Sequence, residues 1–163
     1  MHKILMVCMA NICRSPMAVG AMQTVVLARR VEHLFQIDSA GTHVRRHAGQ
    51  RPDPRAIESM ARFGYMGTLN QRSRPIMPGD FGRFDLIIAM DEDNLRSLKK
   101  ICPPELQQKL YRLLDFADTV HESDIPDPYF GNAAGFDRVL SLCEAGVTGL
   151  VNRCLRTPLE PQR

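Results

Sequence analysis

Ile4-Leu5-Met6-Val7 is a short apolar run that ends at Cys8, and Ser15-Pro16 opens a helical pattern soon after it. A buried strand over residues 3–8, a tight loop and a helix in immediate succession constrain the fold more than any other stretch. Ser is a favoured N-cap and Pro a favoured first helical residue, so the helix is expected to start there. Met17, Gly20, Ala21, Thr24, Val25 and Ala28 then line one face as far as Arg29-Arg30.

The alternation recurs along the chain. Leu34 to Asp38 reads as a second strand, ended by Ser39-Ala40-Gly41, and residues 42–55 as a basic, polar loop. A helix is expected from Pro54 to Phe63, broken by Gly64 and Gly67. Phe84 to Met90 reads as a third strand, and Asp91 as the cap of a helix reaching Leu98 or Ile101, stopped by Pro103-Pro104. Leu110 to Leu114 reads as a fourth strand, followed by a long acidic loop over 115–132. Phe136, Val139, Leu140, Cys143, Val147, Leu150, Val151 and Cys154 repeat in steps of three and four, the stripe of a final helix. Residues 157–163 are expected to form a frayed tail. This pattern predicts an α/β fold with a mainly parallel sheet, in one domain spanning 1–163. Ligands of such sheets sit beyond the carboxyl ends of the strands, where Cys8, Asp91 and Asp115 all fall.

Composition removes several functions. The chain has 163 residues, 44% of them hydrophobic and 24% charged, enough to bury a core without staples. A net charge of +3 is too small to argue for nucleic acid, but suits an anionic substrate. The apolar run from Ile4 to Ala10 is too short to span a membrane, and no cleavage site follows it, so a cytoplasmic protein is expected. Five cysteines, an odd number unevenly spread, do not make a disulfide framework. No CxxC pair or zinc-spaced cluster occurs, so neither metal nor cofactor is expected. Cys102, Cys143 and Cys154 read as packing residues.

Cys8 and Arg14, with five residues between them where the strand passes to the helix, suit binding an oxyanion and attacking it. A strand-loop-helix turn aims backbone N–H groups inward, and the helix N-terminus adds positive potential. Arg14 can grip two phosphate oxygens with its planar fork. These groups should depress the Cys8 pKa from about 8.5 toward the roughly 3.5–7.5 range of activated thiols. Ser15 can donate to the thiolate, and Asn11 tolerates unusual backbone angles and can brace the loop. A phenolate leaves poorly unprotonated, so a proton donor is needed opposite the thiolate. The residues alone leave Asp118, Asp124 and Asp127 open for that role.

The stretch Cys8-Met9-Ala10-Asn11-Ile12-Cys13-Arg14-Ser15-Pro16 resembles the signature of the low-molecular-weight protein tyrosine phosphatases. Ser39-Ala40-Gly41-Thr42, Asp53-Pro54-Arg55, Arg72-Ser73-Arg74, Met90-Asp91-Glu92 with Asn94, and Asp127-Pro128-Tyr129 stand in that family's order. The resemblance implies a four-stranded parallel sheet with helices on both faces and no metal. It implies Cys8 as the nucleophile that forms a phosphocysteine, Arg14 as the phosphate ligand, and Asp127 as general acid and then base. It also implies Tyr129 as a pocket wall, Cys13 as the thiol that can trap an oxidised Cys8, and Asn11, Ser15 and Ser39 as loop support. Asp91 is read as helix cap or as a brace of the site.

The chain departs from the family at three points. The usual aromatic after Ser-Ala-Gly-Thr, often Trp, is replaced by His43-Val44-Arg45-Arg46-His47, and the chain has no Trp. Arg45 or Arg46 is expected to face the substrate, and His43 and His47 are read as surface residues. Gln71 stands where many members carry His, and Ala10 where Gly is common. An arsenate reductase would need two more cysteines near positions 80–90, which are absent. Protein-arginine phosphatases of this scaffold carry Thr where this chain has Ile12. A catalytically silent phosphopeptide-binding module would not need Cys8, Arg14 and Asp127 together. The expected partner is a phosphotyrosine protein or peptide, with no nucleic acid and no membrane insertion, and the expected state is a monomer. By analogy with similar short members, that partner is a bacterial tyrosine kinase linked to exopolysaccharide export.

Overall fold

The apolar run at the start becomes the middle of a sheet. In the computed structural model, which describes residues 1–65 and 70–157, β1 (His2–Cys8) lies between β2 (Phe35–Gly41) and β3 (Leu86–Ala89). β4 (Leu110–Arg112) pairs with β3, and every pairing is parallel, in the order β2-β1-β3-β4. Side chains alternate across β1: Ile4, Met6 and Cys8 face one apolar cluster, Leu5 and Val7 the other. Burial on both faces explains why the run is continuously apolar rather than alternating.

Parallel strands need crossovers, and helices supply them on both sides. On the first face lie α1 (Arg14–Ala28), α2 (Pro54–Arg62) and α5 (Ala133–Arg156), burying Met17, Met22, Met60, Phe136 and Val147. On the second lie α3 (Pro78–Arg83) and α4 (Glu92–Ile101), burying Phe81, Leu95 and Leu98. The whole apolar stripe of α5 is buried. That helix packs so closely that a Cβ at Gly149 would sit 1.7 Å from the Phe116 carbonyl oxygen. Because β2 and β3 flank β1 on opposite sides, successive connections part at the carboxyl end of β1. This is the switch point where α/β sheets open a crevice.

The expected fold class is the observed one, with local differences. α1 begins at Arg14, and Ser15 is not its cap, because its hydroxyl is used by Cys8 and Asn11. β2 does not stop at Asp38: Ser39, Ala40 and Gly41 continue it, paired with Met6, Val7 and Cys8. β4 ends at Arg112. Asp115 then accepts the Arg112 N–H at 2.9 Å, turning Leu113–Phe116 into a 3-10 segment. α3 has no counterpart in the sequence expectations. Its Asp80 accepts from the Met77 N–H at 2.8 Å, and Lys109 caps the Phe81 and Phe84 carbonyls at 2.9 and 3.0 Å. Asp91 caps α4 as expected, accepting from the Asn94 N–H at 2.7 Å. Gly67 and residues 158–163, including most of the expected frayed tail, lie outside the described residues. Among the described residues no helix is long and apolar enough to cross a membrane.

Candidate active site

β1 ends at Cys8, and the chain turns through Met9–Cys13 into α1. The carbonyls of this loop are held from outside. Cys8 O accepts from Thr42 N at 2.9 Å, Met9 O from His43 N at 2.8 Å and Ile12 O from Asp53 N at 2.7 Å. Ala10 O accepts from the Ser73 hydroxyl at 2.7 Å. The N–H groups of Met9 to Cys13 have no such acceptor among the described residues. Carbonyls tied outward with N–H groups left over, in front of a helix N-terminus, make an anion cradle.

Asn11 sets the curvature. Its φ is 58°, a left-handed value that Asn tolerates better than most residues. Its amide donates to Ser15 Oγ and Ser39 Oγ, both at 2.8 Å, and its carbonyl oxygen accepts from Arg74 N at 3.0 Å. With one lone pair of Ser15 taken by Asn11, the Ser15 hydroxyl proton is free to point at Cys8 Sγ, 3.1 Å away. The Ser39 hydroxyl donates in turn to the Gln71 side-chain oxygen at 3.3 Å, so Gln71 completes the network at the position where His is common. Ala10 is not among the residues with positive φ, so the loop does not need Gly there. Gly41 of β2 backs the loop: a Cβ there would sit 2.6 Å from Met9 O.

Arg14 is buried and held from two sides. It is bonded to the carboxylate of Asp91 and, at 2.9 Å, to the Ile125 carbonyl. Burial alone would lower its pKa, but Cys8, Asp91 and Asp127 together push it above the ordinary value. Its second nitrogen lies 3.8 Å from an Asp127 carboxylate oxygen. Asp127 also accepts from the Tyr129 N–H at 3.1 Å. Cys8, Ile12, Cys13, Arg14, Asp127 and Tyr129 line one pocket. The thiol, the guanidinium and the carboxyl therefore meet in one place, although 113 positions separate Arg14 from Asp127 in the sequence. Among the described residues, no group of three or more His, Cys, Asp or Glu side chains is placed to hold a metal.

Residues 3–159 match the family described as "Low molecular weight phosphotyrosine protein phosphatase". The chain belongs to that family. It is 38% identical over 153 residues to the low molecular weight protein-tyrosine-phosphatase of Streptomyces coelicolor, covering 92% of each chain. It is 37% identical over 146 residues to the low molecular weight phosphotyrosine protein phosphatase of Gallus gallus, covering 86% of this chain and 87% of the relative. The crystal structure of a protein tyrosine phosphatase from Entamoeba histolytica, with Hepes in its active site, superposes with a TM-score of 0.91. That match has 36% identity and covers 96% of this chain and 98% of the other.

Within this phosphatase fold, two expectations about the pocket wall change. Arg46 lines the pocket and Arg45 does not: Arg45 starts a 3-10 turn at φ 41°, and the turn carries the next two residues to the pocket. His47, read as a surface residue, is one of those two, and its ring stands edge-on to Tyr129 at 6.3 Å. His43 remains exposed. Phe130 and Arg55 were not singled out by sequence reasoning. Phe130 is 97% exposed yet flanks Tyr129 at the pocket mouth. Arg55 holds Asp53 with two N–H groups, at 3.1 and 2.9 Å, and lies against the rings of Tyr129 and Phe136. The Asp53-Pro54-Arg55 string was visible in the sequence, but nothing local in it shows what Arg55 faces.

Proposed function

We infer that this chain is a phosphotyrosine protein phosphatase that works through a phosphocysteine on Cys8. The observation that carries the reading is the convergence of Cys8, Arg14 and Asp127 on a single pocket. The Cys8 thiolate attacks phosphorus, forming an S–P bond as the P–O bond to the tyrosine ring breaks. Asp127 gives its proton to the departing phenolate. Water then attacks phosphorus, the Asp127 carboxylate takes its proton, and the S–P bond breaks to return the thiolate. Arg14 and the loop N–H groups balance the charge on the equatorial oxygens in both steps, which is most of what phosphoryl transfer requires. The Ser15 hydroxyl stabilises the thiolate each time it is free.

Ile12, Tyr129 and Phe130 give the pocket apolar walls, which suit a phenyl ring better than a guanidinium. Loop support from Asn11, Ser15 and Ser39 and bracing of Arg14 by Asp91 complete the assignment. The narrower elements are a single cytoplasmic domain acting as a monomer, and a bacterial tyrosine kinase of exopolysaccharide export as substrate. The absent aromatic at 43–47 supports that last element, and a substrate trap made by Cys8→Ser tests it: capture of no tyrosine kinase from the native cell sinks it. For the reaction itself, hydrolysis of p-nitrophenyl phosphate and of a phosphotyrosine peptide by the wild type, and by neither in a folded Cys8→Ser variant, is expected. Turnover by that variant at the wild-type rate removes Cys8 as nucleophile.

A further inference from the structure

The segment Thr42–Pro52 carries Arg45, Arg46 and Arg51 together with His43 and His47, and not one Asp or Glu. All three arginines are exposed. Among the described residues none of them holds a carboxylate, whereas Arg62, Arg96, Arg112 and Arg138 elsewhere on the surface each do. Unpaired cations on a protein surface are ordinarily a solvated face. Two features set these apart.

The first is position. Of the three, Arg46 lines the pocket that holds Cys8, Arg14 and Asp127. The second is that the segment has a fixed shape. Thr42 and His43 donate to the carbonyls of Cys8 and Met9, and Val44 is buried. Gly49 donates to Ser73 O at 2.7 Å and Ser73 donates back to Gln50 O at 2.8 Å. Gln50 donates to Arg46 O at 3.3 Å and accepts from His47 Nδ1 at 2.9 Å. The arginine is thus presented from a tied-down turn that gives up little backbone freedom on meeting a ligand. The other loop that lines the pocket, with Asp127, Tyr129 and Phe130, contributes no cation.

We propose that the Arg46 side of the pocket mouth reads an acidic side chain next to the phosphotyrosine, so that the substrates of this chain are acid-flanked phosphotyrosine segments. The proposal rests on the phosphotyrosine phosphatase reading above and names its substrate class. Arg46 supplies the direct contact, and Arg45 and Arg51 add to the field that draws the segment in. An exposed pair of this kind is modest and salt-sensitive.

The test compares two phosphotyrosine peptides that differ only in Glu against Gln beside the phosphotyrosine. The readout is the ratio of their kcat/KM values, with p-nitrophenyl phosphate as a control for turnover. The wild type is expected to prefer the acidic peptide by roughly three- to tenfold at low ionic strength. That preference should collapse toward one at about 0.5 M salt, and Arg46→Gln should remove most of it whatever happens to the basal rate. Equal kcat/KM for both peptides in a wild type that turns over p-nitrophenyl phosphate overturns the proposal and leaves the phosphatase reading standing. A full preference surviving in Arg46→Gln overturns the assignment to Arg46. No turnover of any of the three substrates overturns both readings together.

Discussion

The guanidinium of Arg55 lies 5.5 Å from the centre of the Tyr129 ring. Through it, the two loops of the site are joined. Arg55 grips Asp53, Asp53 donates its N–H to Ile12 O in the phosphate loop, and Tyr129 follows Asp127 by two residues. Arg55→Ala is expected to loosen the Asp127 loop, a stacking contact of this type contributing about 0.5–2 kcal/mol. Activity should fall about tenfold with alkyl-substituted phenyl phosphates and less with p-nitrophenyl phosphate. Arg55→Lys keeps the charge but not the planar stack, and should fall between. A uniform loss across leaving groups would place Arg55 in binding rather than in positioning the acid.

Asp127→Ala should separate leaving groups more sharply. Loss of a general acid costs about a hundred- to ten-thousandfold where the phenolate needs its proton, and much less where it leaves unaided. A series of substituted phenyl phosphates under steady-state kinetics checks this. Equal losses along the series would move the acid to another residue.

Gly41→Ala tests how tightly β2 backs the loop. The added Cβ would lie 2.6 Å from both Met9 O and Val44 Cγ1, closer than either can accept without moving. We expect a loss of about 1–3 kcal/mol of stability by thermal melt, and a fall in turnover of p-nitrophenyl phosphate in the fraction that remains folded.

Cys13 is held as a neutral thiol. Burial pushes its pKa up, and the charges of Asp53, Cys8 and Asp127 add to the effect. At pH about 8 a free thiol is partly ionised, so iodoacetamide should label Cys13 far more slowly in the folded protein than in urea, as read by mass spectrometry. After brief peroxide treatment, Cys13→Ser should recover less activity with added thiol than the wild type does. Full recovery would remove Cys13 as the partner of an oxidised Cys8.

Asp53 carries part of the stability that the fold loses in acid. Burial would raise its pKa, but the Arg55 side chain and backbone N–H outweigh this and hold it below the usual carboxylate range. The stabilisation is present above the unfolded value of about 3.9 and disappears as pH falls through the lowered folded value. The wild type should therefore be more stable than Asp53→Asn at neutral pH, with the gap closing only below pH about 4. Urea unfolding at a series of pH values measures it, and a gap independent of pH would contradict the assignment.

What the sequence revealed depended on whether a residue's surroundings are written in its neighbours. Ile4–Val7 and the stripe of α5 declare themselves because burial repeats with the period of the element. α3 does not: Gly79 and Gly82 make it a poor helix by propensity, and it forms because Phe81 is buried and Asp80 caps it. Ser15 was misplaced as a cap because a Ser-Pro start has that meaning locally, while its hydroxyl is claimed by residues on either side of the loop. The residues alone left Asp118, Asp124 and Asp127 level. In the fold Asp124 turns to the Glu92 N–H, at 3.0 Å, and Asp127 turns to Arg14. Ile125 holds Arg14 through its carbonyl, which no side chain advertises. His47 reached the pocket only through the turn that begins at Arg45.

The bonds that fix Arg14 span 77 residues to Asp91 and 111 to Ile125. Synthesis runs from the amino end, so Cys8 and Arg14 are made well before Asp91, Ile125 and Asp127, the groups that close around them. Loops of that length close late. Until Ile125 and Asp127 have been made, a nascent chain therefore carries Cys8 with no assembled cradle around it, and oxidation or alkylation in that interval would strike the thiol before the site exists.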